Sequence, residues 1–123
     1  MEQFVTLIGT LLQSRTQAHI YHWQTQGQGS YAAHTALGAY YETIPGLLDG
    51  LVESFQGRYG IVRGYKMTNT IREDGSYVNY FEALCKFVET SRKGIPQDSY
   101  LQNQIDTIVE LIESTKYKLI NLS

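Results

Sequence analysis

The chain has 123 residues and a formal net charge of −2, from ten Lys and Arg against twelve Asp and Glu. The length fits one domain, 1–123, with its own core, and the charge argues against DNA binding. The lone Cys85 is expected to be a small core residue in a reducing, cytoplasmic protein. Because no basic leader or run approaching ~18 apolar residues occurs, we expect neither a signal peptide nor a membrane partner.

The first half of the chain has the pattern of two amphipathic helices joined by a short loop. An apolar stripe from Phe4 through His22 predicts a first helix over 1–26. After a glycine-containing link, Ser30 is predicted to cap a second helix over 31–56, which Gly57 stops. Such a short link implies an antiparallel hairpin. The predicted core residues of the second helix are Leu37, Tyr40, Ile44, Leu47, Leu48, Leu51 and Phe55.

Two features interrupt regular structure in the middle of the chain. Pro45 removes one hydrogen bond of the second helix, which predicts a kink, with two separate helices as the alternative. After Gly57, glycines and an Asp74-Gly75 turn signal predict an irregular connection. A helix of about 25 residues is roughly 37 Å long, and about 18 extended residues reach roughly 60 Å. The connection can therefore run the whole length of a bundle.

Two further helices follow this connection. Ser76 is predicted to cap the third helix, which ends near Gly94, and Asp98 or Ser99 is predicted to cap the fourth, which continues to the C-terminus. Their apolar residues are Tyr77, Phe81, Leu84 and Val88 in the third helix, and Leu101, Ile105, Ile108, Ile112 and Leu119 in the fourth. The predicted fold class is all-α: a ferritin-like four-helix bundle with a long crossover between the second and third helices.

The second helix also has a face with residue types that bind metals. On a wheel with His34 at zero, its apolar residues cluster between about 220° and 320°, whereas Asp49 falls near 60° and Glu53 near 100°. Glu42 and Tyr41 lie in or close to the same arc. Two carboxylates four residues apart can grip one ion or bridge two, and imidazole with carboxylate suits iron, zinc or manganese.

The spacing of these residues predicts a site shared between subunits. His22 and His34 flank the short loop, so the hairpin brings them to the same end of the bundle. Asp49 lies roughly 22 Å further along the helix axis, whereas metal bonds are only about 2 Å long. One chain cannot close around a single ion, but a copy packed antiparallel across a two-fold axis supplies the missing carboxylates. We therefore expect at least a two-fold homodimer.

The segment around these residues resembles the Dps-like mini-ferritins, whose signature is a His-Trp pair, a second His and an Asp-x-x-x-Glu. Here these are His22-Trp23, His34 and Asp49-Gly-Leu-Val-Glu53, within about 18–60. The resemblance implies that His22 and His34 bind iron from one subunit, and Asp49 and Glu53 from another. It also implies oxidation of ferrous iron by peroxide or oxygen, a mono-iron or di-iron site, storage in a twelve-subunit shell, and protection against oxidative stress.

The chain departs from this pattern at Gly38, where the family commonly has an acidic residue four positions after the second His. His19 and Glu42 are weaker candidate ligands that could compensate, and Trp23 and Tyr41 are expected beside the site. The departure keeps open an alternative function, a non-catalytic oligomeric bundle that binds zinc or another metal without turnover or acts structurally. Lys116 and Lys118 are read as an ordinary basic helix end rather than a DNA-binding tail.

Overall fold

A computed structural model describes residues 1–67 and 69–122 of the chain. Four helices account for most of this part, and no β-strand occurs in it, which confirms the prediction of an all-α chain with four helices. None of the helices described is both long and apolar enough to cross a membrane. The helices are α1 (Glu2–Gln24), α2 (Ser30–Tyr59), α3 (Tyr77–Ser91) and α4 (Ser99–Asn121), with one short 3-10 turn at Arg92–Gly94.

Helices α1 and α2 form the predicted antiparallel hairpin. The rings of Phe4 and Phe55 stack with centroids 3.8 Å apart at one end, and the loop closes the other end. Gly29 in this loop has a φ of 80°, which favours glycine. The predicted cap at Ser30 is wrong: Gly29 precedes the helix, and Ser30 is its first residue and makes no side-chain capping bond.

Helix α2 continues without a break through Pro45, so the alternative of two separate helices is wrong. The prediction that Gly57 stops it is also wrong. The helix ends at Tyr59, because Gly60 takes a φ of 98° and its N–H donates back to the carbonyl oxygen of Gln56 at 2.8 Å. A glycine at the end of a helix stops it only where the backbone takes up the left-handed region, and Gly57 remains helical.

The core lies between the four helices and follows the predicted stripes. Of the predicted α2 core residues, all are buried except Leu47, which is half-buried. Cys85 is half-buried at the edge of the core rather than within it. Partial burial, with Glu113 beside it, raises the pKa of its thiol. The thiol is therefore held in its protonated form, which reacts slowly.

Two buried glutamines fix the 61–76 connection along α1. The side chain of Gln17 accepts the N–H of Arg72 at 2.7 Å and donates to the carbonyl oxygen of the same residue at 2.8 Å. Gln13 makes the same pair of bonds with the backbone of Asn69. Because the described residues of this segment, 61–67 and 69–76, form no helix or strand, these amides replace the partners that a neighbouring strand would supply.

The connection ends beside the C-terminal end of α1. Asp74 accepts hydrogen bonds from the N–H of Ser76 at 3.0 Å and the hydroxyl of Tyr21 at 3.2 Å. The bond from Ser76 is the main reason that the pKa of Asp74 is lowered, and burial, with Asp74 beside it, raises the pKa of Tyr21 to about 12. The rings of Tyr21 and Tyr77 then meet edge to face at 5.9 Å, so α3 starts at this end of α1.

Helices α3 and α4 complete the bundle. Gly94, just after α3, packs against the side chain of Gln3, so α3 runs antiparallel to α1. Helix α4 starts beside the end of α2, where the hydroxyl of Tyr59 donates a hydrogen bond to Asp98 at 2.6 Å. It then packs along α2 in the antiparallel direction. Ser76 and Asp98 precede these helices as predicted, but neither side chain makes a capping bond.

The change Gln17→Leu is expected to lower the free energy of unfolding by about 1–3 kcal/mol, because it leaves two backbone groups of Arg72 without partners. Urea unfolding followed by circular dichroism measures this loss. Thr16→Val is the matched control, since Thr16 is the exposed neighbour of Gln17 on α1. Equal urea midpoints for the two variants would show that the connection does not depend on the buried amide.

Candidate metal site

The α1–α2 loop brings His22 and His34 to the same end of the bundle, and there the two side chains are in direct contact. Nδ1 of His22 lies 2.6 Å from the carbonyl oxygen of His34, and Nδ1 of His34 lies 2.9 Å from the carbonyl oxygen of His22. The two rings stack with centroids 3.6 Å apart and planes inclined by 18°. Each histidine thus bonds the backbone of the other helix, and the pair joins the end of α1 to the start of α2.

These reciprocal bonds fix which nitrogen of each ring carries the proton. A carbonyl oxygen only accepts hydrogen bonds, so Nδ1 of each neutral imidazole must be the donor. The lone pair is then on Nε2, the nitrogen left for a further ligand. Metal-binding histidines are commonly held in this way, with one ring N–H donated to a carbonyl oxygen and the other nitrogen on the ion.

Gly38 lies one helical turn after His34 and faces the ring of His22. A Cβ atom at this position would lie 3.2 Å from Cε1 and 3.3 Å from Nδ1 of that ring. These distances are shorter than ordinary carbon contacts of about 3.5–4.0 Å. A side chain at position 38 would therefore press on the imidazole of His22, which would have to move by a few tenths of an ångström.

A cluster of aromatic rings, formed by His19, Trp23 and Tyr41, adjoins the histidine pair on the outer surface of α1 and α2. The ring of His19 stacks on Tyr41 at 4.0 Å and approaches Trp23 at 4.3 Å. Tyr41 also meets His22 edge to face at 5.3 Å. The structure therefore places Tyr41 against His22 and Trp23 against His19, and Trp23 leaves 68% of its surface exposed.

The predicted carboxylates lie at the other end of the same outer surface. Asp49 and Glu53 are both exposed and flank a depression of about 220 Å³ between α1 and α2, whose walls include Ile8, Leu12 and Tyr65. Along α2, Asp49 is roughly 22 Å from His34. Within 1–67 and 69–122 no three His, Cys, Asp or Glu side chains are grouped closely enough to hold one ion. The chain by itself brings the histidines together but not the carboxylates to them.

The side chains at the two ends of this surface are nevertheless of the types that bind transition metals. Two Nε2 atoms are left with lone pairs by the bonds at Nδ1, and two carboxylates lie one helical turn apart on the same outer surface. Imidazole and carboxylate together suit iron, zinc or manganese. Of the weaker candidates, His19 is occupied by its stacking on Tyr41, and Glu42 is exposed on α2 between the two groups.

Some functional features were not predicted from the sequence. The reciprocal histidine bonds depend on side-chain rotamers, which leave no pattern in the sequence. The close contact at Gly38 could have been noticed in the sequence, because an isolated glycine inside a helical pattern often has a packing reason. The buried positions of Gln13 and Gln17 could also have been noticed in the sequence, because two glutamines four residues apart adjoin the apolar stripe of α1.

A protein-family model matches most of the chain. Residues 22–119 match a family described as a family of unknown function, DUF5856. The match covers more than half of the chain, begins at His22 and includes all four predicted ligands. No curated protein and no solved structure matches this chain.

A double-mutant cycle between His22→Ala and His34→Ala is expected to give a coupling energy of about 0.5–1.5 kcal/mol, because each change removes the ring on which the other histidine stacks. Thermal or urea unfolding of the four proteins measures it. The control cycle pairs His22→Ala with Thr35→Ala, since Thr35 is the exposed neighbour of His34. Additive effects in the first cycle would contradict a stabilising contact between the two stacked rings.

Proposed function

The chain belongs to the family of unknown function DUF5856, and we propose that it is an iron-binding, mini-ferritin-like protein whose metal sites form between two copies of the chain. In this proposal it oxidises Fe(II) with peroxide or oxygen and sequesters the product, which protects its host from oxidative stress. The observation that carries the proposal is the histidine pair, whose Nδ1 bonds leave both Nε2 atoms available as ligands.

The position of the carboxylates supports a site between subunits. His34 and Asp49 lie on one outer surface of α2 but roughly 22 Å apart. A second copy packed antiparallel on this surface brings its Asp49 and Glu53 to the histidines of the first, and the two-fold axis creates an identical second site. The same packing covers Trp23 and the depression beside Asp49.

The order of the helices supports a ferritin-like fold. The 61–76 connection bonds successive turns of α1 through Gln13, Gln17 and Tyr21. Helix α3 consequently starts at the same end of the bundle as α2 and runs parallel to it. A long crossover between a first and a second antiparallel pair is the connectivity of ferritin-like bundles. A dimer is the smallest assembly this proposal needs, and a twelve-subunit shell is the larger form implied by the resemblance.

In this proposal the chain's own residues hold and surround the ion. The Nδ1–H bonds orient both imidazoles and keep Nε2 basic. Asp49 and Glu53 of the second copy offset the positive charge, and the apolar side chains between α1 and α2 limit access of water. Iron, as the substrate, supplies the electron that peroxide or oxygen takes up.

A second candidate function is a non-catalytic bundle that holds zinc or another metal without turnover. Gly38 is the specific observation that favours it, because the set of ligands implied by the resemblance lacks one carboxylate at this position, which faces the ring of His22. The two functions differ in one measurement. Fe(II) with peroxide gives a ferric absorbance above that of buffer only under the first.

Subunit complementation tests the site between copies. A variant with His22→Ala and His34→Ala and a variant with Asp49→Ala and Glu53→Ala are each expected to lose iron oxidation while keeping their helices. After the two are unfolded, mixed in equal amounts and refolded, about a quarter of the wild-type activity should return. Half of randomly paired dimers are mixed, and each mixed dimer has one intact site of two.

Glu110→Ala is the control, because Glu110 is an exposed carboxylate on α4 away from this surface. No recovery after mixing would show that histidines and carboxylates do not act across a two-fold axis. Full activity of the carboxylate variant alone would remove Asp49 and Glu53 from the site.

Burial of Trp23 in a dimer is a separate expectation. It is the only tryptophan of the chain, so its fluorescence should shift to shorter wavelength as protein concentration rises, in step with the mass measured by light scattering. The control protein carries Trp23→Phe with Tyr100→Trp, because Tyr100 is exposed at the start of α4. Dimerisation without a change in Trp23 emission would place the interface on another surface.

A further inference from the structure

We propose that a groove between α1, α3 and residues 69–72 of the connection binds a small organic anion that carries an apolar body. The groove is separate from the histidine pair, because the side chain of Gln13 lines it and His22 lies roughly 180° further around α1. The proposal therefore stands or falls independently of the metal site.

The groove has the size and the mixed lining of a small-molecule site. Its volume is about 570 Å³, within the roughly 300–1,000 Å³ of ligand pockets. Helix α3 supplies an apolar wall with Leu84 and Phe87, and α1 supplies the hydroxyls of Thr6 and Thr10. A ligand with an apolar body can pack against the α3 wall while its polar end faces the hydroxyls and the connection.

Arg72 gives the groove its charge. It is the only charged residue among the lining residues that the structure describes, and its guanidinium forms no ion pair with any other described residue. The pKa of Asp74 is lowered mainly by its bond from Ser76 and to a lesser degree by the nearby Arg72, but this carboxylate already accepts the hydrogen bonds of Ser76 and Tyr21. The guanidinium, which is always protonated, is therefore available to an anionic group.

Four side chains with uncharged hydrogen-bond donors line the same groove: those of Thr10, Asn69, Thr70 and Tyr80. None of these side chains hydrogen-bonds another residue that the structure describes, since Asn69 uses only its backbone. Burial raises the pKa of Tyr80 well above its ordinary value, so its hydroxyl stays protonated. No Asp or Glu occurs among the described lining residues. An anion would supply the acceptors that these donors lack in the protein.

The buried glutamines hold part of this lining in place before a ligand arrives. Gln13 and Gln17 bond the backbone of Asn69 and Arg72, the residues whose side chains reach the groove. The guanidinium of Arg72 lies over the ring of Tyr80, 5.7 Å from its centroid. Groups that are already ordered lose less freedom when they bind, which favours affinity.

A second cavity brings further positive charge beside the groove. It has a volume of about 390 Å³ and shares part of its lining with the groove. Arg63 and Lys66 line it, together with one acidic residue, Glu2. Residues 54–72 contain four basic residues and no acidic one, in a chain whose net charge is −2. This local positive field attracts anions towards the groove.

Calorimetric titration of the whole chain with naphthyl probes tests the proposal. 2-Naphthoate and 2-naphthyl phosphate combine an apolar body with a carboxylate or a phosphate, 2-naphthamide has the same body without the charge, and acetate has the charge without the body. One of the two naphthyl anions is expected to bind at least about tenfold more tightly than 2-naphthamide and acetate, and the tighter of the two identifies the anionic group. Equally tight binding of 2-naphthamide or acetate, or no binding of either naphthyl anion up to about 1 mM, would overturn the proposal.

Two variants locate the bound probe. Arg72→Gln is expected to weaken binding of the naphthyl anion about 10–100-fold, because the charge-assisted bond is lost while the backbone bonds to Gln17 remain. Arg15→Gln is the matched control, since Arg15 is an exposed residue of α1 outside the lining. Ala83→Phe is expected to abolish binding, because Ala83 is exposed on α3 and a larger side chain there fills the groove. Unchanged affinity of either variant, with wild-type helix content by circular dichroism, would place the probe elsewhere and overturn the proposal.

Discussion

The hydrogen bonds from the buried side chains of Gln13 and Gln17 to the backbone of the 61–76 connection are the constraint on which the rest of the bundle depends. Where the structure describes this segment, no helix or strand pairs its N–H and C=O groups, and the segment must still cross the length of α1. The side-chain amides of Gln13 and Gln17 each donate and accept a hydrogen bond, and these bonds attach the connection to α1 at two points. The point where the connection ends then determines where α3 begins and in which direction it runs.

The same constraint determines which surface of α1 is left open. At about 100° per residue, the glutamines that hold the connection lie on average roughly 120° around α1 from His19 and Trp23. The connection covers one side of α1, the core covers a second, and the side shared with α2 stays exposed. All of the candidate ligands lie on this third surface. The attachment of the connection by the two buried glutamines thus leaves one side of α1 uncovered. This side is the one available to a second copy of the chain.

The sequence predicts the helices and most of the core well, because apolar residues repeat with the helical period wherever a helix buries one side. It predicts the helix ends less well: Gly57 and Gly60 look alike in sequence, and only the backbone conformation distinguishes them. The contact between His22 and His34 follows from a short loop, whereas their reciprocal bonds follow from rotamers that no pattern encodes. The position of the carboxylates relative to the histidines depends on a second copy and remains a prediction.

The difference between short-range and long-range contacts in this bundle has a consequence for how the chain folds. His22 and His34 are 12 residues apart, whereas the bonds of Gln13 and Gln17 to the connection span 56 and 55 residues. Short loops close fast and long ones slowly, so the α1–α2 hairpin should form early and the attachment of the connection late. The contact between the imidazoles of His22 and His34 would then form before the bundle is complete. A chain that is still folding would already hold both Nε2 atoms in their final positions relative to each other.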